Sequence, residues 1–253
     1  MKFPPRRCSI ALVLGAAGAV EIAARAGMVD PLTVIPTSEM LEGFGRQLTD
    51  PAFLAHHLVP TVVAVVASFA LAAVIGVGLG VLMWRSRFLH AVLDPYLTTY
   101  YAVPVFALYP LFLVLFGSGL TPIVVVGVLA SFVIIAVQTA AGLRSTPAVY
   151  YKVARSLRLR ASDVVRHVAI PAALPAVFAG LRLGLTYCVI IVVATQFILA
   201  TRGLGWVIAD AYERFDLPAM YGGVIMVAGL SLGLIALLRR LERRISQDGP
   251  GES

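Results

Sequence analysis

The sequence predicts an all-α integral membrane protein: six transmembrane helices in one domain over residues 1–253, with a basic cytoplasmic loop at about 145–171. Three observations carry this. First, 60% of the 253 residues are hydrophobic and mean hydropathy is +0.92, while charged residues are only 13%, against about 25% in ordinary soluble domains. Second, the apolar residues fall in runs long enough to cross a bilayer as helices. Third, fifteen of the twenty Lys and Arg lie in segments that alternate to one side of this topology, four lie on the other, and only Arg182 is left inside a span. Cytoplasmic segments collect Lys and Arg, so both termini and the basic loop are placed inside. Topology therefore accounts for the net charge of +7, and nucleic acid is not implied as a partner.

Lys2, Arg6 and Arg7 precede an apolar run that continues to Val29. Ala17-Gly18-Ala19 offers a cleavage pattern, but apolar character persists beyond it, which favours a retained first helix. Glu21 and Arg25, four residues apart, can pair on one face. Asp30 to His57 reads as an external loop with a short helix at Thr37–Leu48. Its adjacent histidines, His56 and His57, point to different sides of a helix and make a poor metal pair. Leu58–Trp84 is the second span, with Ala72, Gly76 and Gly80 in a small-residue row suited to close helix packing. Leu93–Leu115 is the third. It contains Pro104 and Pro110, whose freed carbonyls belong beside protein or a water-filled path rather than lipid. Gly117-Ser118-Gly119 turns the chain into the fourth span, Thr121–Gly142. Ala172–Ala200 is the fifth, Thr201–Leu217 an outer loop, and Ala219–Leu238 the sixth, followed by Arg239, Arg240, Arg243 and Arg244. Cys8 and Cys188 lack metal-like spacing and read as free thiols.

The stretch from Tyr151 to Pro175 stands apart. Val153 and Leu157 form one apolar stripe at helical spacing, and Val164, Val165 and Val168 form another. Lys152, Arg155, Arg158, Arg160 and Arg166 occupy the other faces. Pro147 suits the first turn of a leading helix and Ser162 an N-cap of a second. Two short helices lying on the cytoplasmic surface and presented to a partner are expected.

The chemistry is defined partly by what the sequence lacks. A phosphate-cradling loop needs Gly-Lys followed by Ser or Thr. The two lysines, Lys2 and Lys152, do not follow glycines, so an energy source must be a separate subunit. A proton- or sodium-coupled carrier needs intramembrane carboxylates. Glu21 and Asp94 are the candidates, and both sit near span ends, Glu21 beside Arg25 and Asp94 near Arg85, Arg87 and His90. No nucleophile–base constellation of a hydrolase is visible. Arg182 can snorkel, pack or face a pathway. Gln138, Arg182, Tyr187, Thr195 and Gln196 are the candidates for a polar pathway lining, although interhelical hydrogen bonding explains the uncharged ones equally well.

The basic island resembles the coupling loop of ABC importer permeases. That motif begins Glu-Ala-Ala, has Gly four residues after the last Ala, and ends Ile-x-Leu-Pro. Aligned without gaps, Lys152, Val153 and Ala154 take the first three places, Arg158 the glycine place, and Val168, Ile170 and Pro171 the end. The sequence departs at the acidic and glycine positions; Gly permits a positive-φ turn that Arg adopts only at a cost. Four further passages resemble the nitrate/sulfonate/taurine branch: Ile22–Pro31, Val103–Gly119, Ile170–Leu185 and Thr201–Ile208. The resemblance implies a type I importer permease of a bacterial cytoplasmic membrane. It implies a second permease copy, an ATPase dimer below and an extracytoplasmic solute-binding protein above. ATP and Mg would then sit on the ATPase, with no cofactor bound by this chain. Lys152, Val153, Ala154, Arg155, Ser156, Leu157 and Arg158 would enter a groove on the ATPase, Val153 and Leu157 as the buried anchors. The rival readings are a self-sufficient carrier or channel, and a membrane enzyme or scaffold.

Overall fold

Apolar runs that must satisfy every backbone N–H and C=O internally become long helices. The computed structural model describes residues 5–100, 103–145, 149, 156, 161–164 and 170–247, and among these every regular element is helical. In chain order they are α1 (Pro5–Arg25), α2 (Thr37–Thr49), α3 (Val59–Arg85), α4 (Arg87–Tyr100), α5 (Tyr109–Phe116), α6 (Leu120–Arg144), α7 (Ile170–Leu199), α8 (Leu204–Glu213) and α9 (Leu217–Gln247). A helical turn at Pro51–Phe53 and a π-helical turn at Leu54–Leu58 lead into α3, and a 3-10 turn at Val105–Leu108 leads into α5. One turn, Ala161–Val164, is described within the basic island, and it includes Ser162 rather than starting after it.

Four stretches among the described residues are long and apolar enough to cross a membrane: Pro51–Arg85, Leu120–Arg144, Pro171–Ile198 and Leu217–Ile245. The expected third span differs from its straight sequence reading. Helix starts earlier, at Arg87, and ends at Tyr100; the segment Val105–Phe116 then runs at 83° to it, giving a fifth span if the bent pair is one. Pro104 explains the break, because it has no N–H to donate and pushes the preceding residue away from helical geometry. Gly117 (φ 75°) and Gly119 (φ 154°) turn the chain into α6 as expected, in backbone conformations that glycine adopts without Cβ strain.

The chain divides into two units. One comprises Met1–Pro60 and Gln196–Gly229. Here Glu21 receives Arg25 Nε at 2.6 Å and the Ser38 backbone N–H at 2.9 Å. A carboxylate on α1 thus meets the first turn of α2, whose leading N–H groups have no partner within the helix. Close contacts bind α2 to the start of α9. Gly43 lies against the Pro218 carbonyl, and a Cβ on Gly222 would come 2.7 Å from Phe44 N. Gln47 Nε2 donates to Ala219 O at 2.8 Å. Asp50 caps the turn at Pro51, accepting from Ala52 N at 2.9 Å, so helix begins seven residues before the expected Leu58. The stretch Thr201–Leu217, expected as loop, contains α8, which buries Leu204, Gly205, Val207 and Ala211.

The other unit comprises Thr61–Thr195 and Leu230–Ser253, and α6 runs through its core. The predicted small-residue row is a packing surface: Ala72, Gly76 and Gly80 are all buried. A Cβ on Gly76 would meet Phe132 O at 2.7 Å, and one on Gly80 would meet Ala136 O at 2.6 Å. On the other side Gly180 and Gly184 of α7 approach Gln138 and Ile135 of α6 equally closely. Lipid tails are as apolar as leucine, so close backbone approach and dispersion hold such helices together rather than apolar burial from water. Met83, Leu97, Val133 and Ala140 form a buried cluster beside this crossing. Arg144 donates to Met83 O at 3.1 Å, satisfying a carbonyl left free near the end of α3.

Candidate functional site

Two sets of residues were singled out in the sequence, the basic island and the polar lining. In the island, Lys152, Val153, Ala154, Arg155, Leu157 and Arg158 lie outside the described residues; Ser156 is helical and exposed. Asp163 and Val164 are half-buried on the turn Ala161–Val164.

The candidate lining residues separate. Gln138 is exposed on α6, with its Cβ close under Gly180. The Arg182 guanidinium meets the Glu242 carboxylate at 2.7 Å. The two side chains are 33% and 19% exposed, so the pair is neither fully desolvated nor a loose surface contact. Glu242 was absent from the sequence-based search for intramembrane carboxylates. That search ended the last helix at Leu238, whereas α9 continues to Gln247. Thr195 is fully buried and donates back to Ile191 O at 2.7 Å within α7.

Gln196 is 1% exposed and belongs to the other unit. Its Oε1 accepts from Gly205 N at 3.3 Å, and its carboxamide packs against Gly203. It therefore serves the first turn of α8. In the same unit His57 stacks on Trp206, with ring centroids 5.2 Å apart and planes 6° apart, and Gly203 N approaches His57 Nδ1 at 3.4 Å. Of the basic residues expected near Asp94, His90 approaches it, with Nδ1 4.0 Å from Asp94 Oδ1.

Tyr187 has an open space beside it. A partly open cavity of about 160 Å³ lies where the third span breaks. The break contributes Tyr100, Pro104 and Phe106, α6 contributes Ala130 and Val133, and α7 contributes Tyr187 and Ile191. No charged side chain is among its described lining residues. The Tyr100 ring sits 6.2 Å from that of Phe132, and the Tyr100 hydroxyl is buried without a hydrogen-bond partner. Leaving such a group unpaired costs about 1–3 kcal/mol. Irregular backbone at membrane depth belongs where protein or a cavity covers it, and here the break and the cavity coincide. The sequence signal for this place was Val103-Pro104. Tyr100 and Phe106 carried no pattern that set them apart from ordinary aromatic residues of a span.

Close glycine crossings, a broken span and a cavity at the break characterise this set of long apolar helices. Residues 72–247 match the family described as binding-protein-dependent transport system inner membrane component. The chain belongs to that family, whose members are transport permeases and not enzymes. It is 31% identical over 223 residues to the taurine transport system permease protein TauC of Escherichia coli, covering 87% of this chain and 81% of that one. It is 32% identical over 188 residues to the nitrate import permease protein NrtB of Synechococcus elongatus, covering 71% of this chain and 66% of that one. These similarities place it in the nitrate/sulfonate/taurine branch of ABC importer permeases. The fold is similar to that in a structure of the inward-facing MetNI methionine ABC transporter. The TM-score is 0.61 at 19% identity, covering 80% of this chain and all of that one.

Proposed function

We propose that this chain is the pathway-forming permease subunit of an ATP-driven importer for a small solute of the nitrate/sulfonate/taurine class. Two copies line the pathway, two separate ATPase subunits dock from the cytoplasm, and an extracytoplasmic binding protein delivers the solute. The chain is a multi-pass protein of the bacterial inner membrane with both termini cytoplasmic, as the Lys and Arg asymmetry supports. Closure of the ATPases on ATP pushes on the island at 145–171, and the spans rock between inward- and outward-facing states. Lys152 to Arg158 form the docking surface, with Val153 and Leu157 buried at its centre and the arginines at the rim. Of the candidate pathway residues, Tyr187 has the cavity beside it and Gln138 is exposed, while Arg182, Thr195 and Gln196 act through hydrogen bonds within the protein.

The observation that carries this reading is the continuity of the family match. It runs unbroken from within α3 to the end of α9, across the basic island, in a chain with no phosphate-cradling loop of its own. Leu157→Asp tests it by placing a charge at the buried anchor. Association with the ATPase is expected to fall at least tenfold in pull-down, while the variant keeps its elution volume and helical content. Undiminished association would show that the island is not the dock.

A further inference from the structure

The last turns of α9 are basic on one side and apolar on another, and both sides are exposed among the described residues. Arg239, Arg240, Arg243 and Arg244 are all exposed, and none of them makes an ion pair among the described residues. Glu242 is the one carboxylate between Leu237 and Gln247, and it does not neutralise them. It shares a helix face with buried Leu238 and meets Arg182 at 2.7 Å. Leu237, Leu241 and Ile245 recur every four residues and are 46–55% exposed, so they form one apolar stripe. Arg240 and Arg244 each stand three residues after a leucine of that stripe, which makes the basic and apolar faces adjoin. Depth is set by the helix itself. Leu217–Leu238 carries no charged side chain and measures about 33 Å as helix at 1.5 Å per residue, while the hydrocarbon layer is about 30 Å thick. The turns that follow therefore enter the headgroup layer, at the level of the lipid phosphates.

The asymmetry of Lys and Arg across the membrane asks only for basic residues in this segment. It does not ask for the carboxylate to be turned inward, or for an apolar stripe beside the arginines. Like charges four residues apart on a helix repel, and Arg239–Arg243 and Arg240–Arg244 are two such pairs. A phosphate between the members of a pair removes that repulsion and accepts hydrogen bonds from both guanidinium forks. A protein partner would have to bring carboxylates to these arginines and desolvate them. The bilayer supplies phosphate and hydrocarbon at adjoining depths. We infer that the end of α9 is a binding site for an anionic phospholipid, its phosphate held between Arg240 and Arg244 and its acyl chain laid along the stripe at Leu237 and Leu241. The inference needs only that the chain spans a bilayer, and it stands apart from the choice of solute or ATPase.

The test measures binding of radiolabelled phosphatidylglycerol to the full chain in mixed micelles, with unlabelled phosphatidylglycerol or phosphatidylcholine as competitor. Saturable binding is expected, with phosphatidylglycerol displacing the label at a concentration at least tenfold lower than phosphatidylcholine does. Each arginine near an anionic surface strengthens attachment about fivefold. Arg240→Gln and Arg244→Gln are therefore each expected to weaken binding about fivefold, and together at least tenfold, at unchanged elution volume and melting temperature. Both positions are exposed, and the single variants keep the test standing if the pair does not fold. Arg85→Gln with Arg87→Gln removes the same charge from exposed positions elsewhere and should change binding less than twofold. Leu241→Ser, at a side chain 46% exposed, should weaken binding roughly threefold through lost contact with the acyl chain. An equal loss in the Arg85, Arg87 control, or equal displacement by the two lipids, would overturn the assignment by leaving net charge or a nonspecific lipid shell as the cause. Displacement by inorganic phosphate beyond that by sodium chloride at the same ionic strength would also overturn it, in favour of a bare phosphate site. Unchanged lipid binding in the Arg240, Arg244 pair, together with lost ATPase pull-down, would overturn it in favour of a protein partner.

Discussion

The double variant Gly76→Ala, Gly80→Ala should destabilise the helix crossing on which the larger unit depends, while Gly78→Ala on the same helix should not. A Cβ at position 76 would lie 2.7 Å from Phe132 O and 2.8 Å from Ile135 Cβ; at position 80 it would lie 2.6 Å from Ala136 O and from Thr139 Cβ. Ordinary contact begins at 3.4 Å, so α3 and α6 must separate by about 0.7 Å. The obstructing atoms are backbone oxygens and Cβ atoms, which cannot rotate away. Overpacking of this kind costs about 1–3 kcal/mol per site. Alanine returns up to about 1 kcal/mol per site through helix propensity. The net loss for the double variant is therefore about 2 kcal/mol, a fall in melting temperature of about 4–8 °C for a chain of this size. Gly78 has nothing within 4 Å, so its replacement keeps the propensity gain alone and melting temperature should hold or rise. Thermal unfolding followed by fluorescence-detected size exclusion in one detergent reads all three proteins. Equal shifts for Gly78→Ala and the double variant would refute the claim that α3 and α6 pack through this row.

Three further outcomes follow. Arg182→Gln and Glu242→Gln should each lower stability, and a double-mutant cycle should return a coupling of about 1–2 kcal/mol, between the values for exposed and buried pairs; a coupling near zero would mean the 2.7 Å contact does not hold α9 to α7. Gly203→Ala should cost about 2 kcal/mol or more, because φ is +112° and the Gln196 carboxamide occupies the space a Cβ needs; hydrogen exchange at Leu204–Glu213 should rise, and unchanged exchange there would contradict the role given to Gln196. Arg158→Gly restores the residue that the family motif carries at this place, so nucleotide-driven uptake should be retained or increased. Loss of uptake would assign Arg158 a direct part in the ATPase contact.

What the sequence made legible was local. The helix at Thr37, the pairing of Glu21 with Arg25, the glycine turn before α6 and the packing row on α3 each follow from spacing within a few residues, and the structure contains all of them. The break of the third span was half legible: Pro104 and Pro110 announced irregular backbone, but proline content sets no bend angle, and the cavity beside it needs α6 and α7 to exist. Helix α8 was missed because ten residues between glycine and polar turns read as loop, although Leu204, Val207 and Ala211 already had helical spacing. Glu242 was missed for a different reason. A carboxylate past an apolar run reads as a solvated tail, and only its approach to Arg182, sixty residues away in sequence, gives it a partner. Gln196 shows the converse difficulty: a polar residue late in a span reads equally as pathway lining or as a hydrogen-bonding group, and only the fold brings it to the first turn of the next helix.

Co-purification tests the importer assignment most directly. The chain is co-expressed with candidate ABC ATPase subunits from the same genome, solubilised gently, and weighed by native mass spectrometry. The account predicts a complex of two permease chains with two ATPase subunits that Leu157→Asp dissolves. A folded chain that carries solute on its own, with no ATPase recovered even after mild cross-linking, would contradict it and point to a self-sufficient carrier.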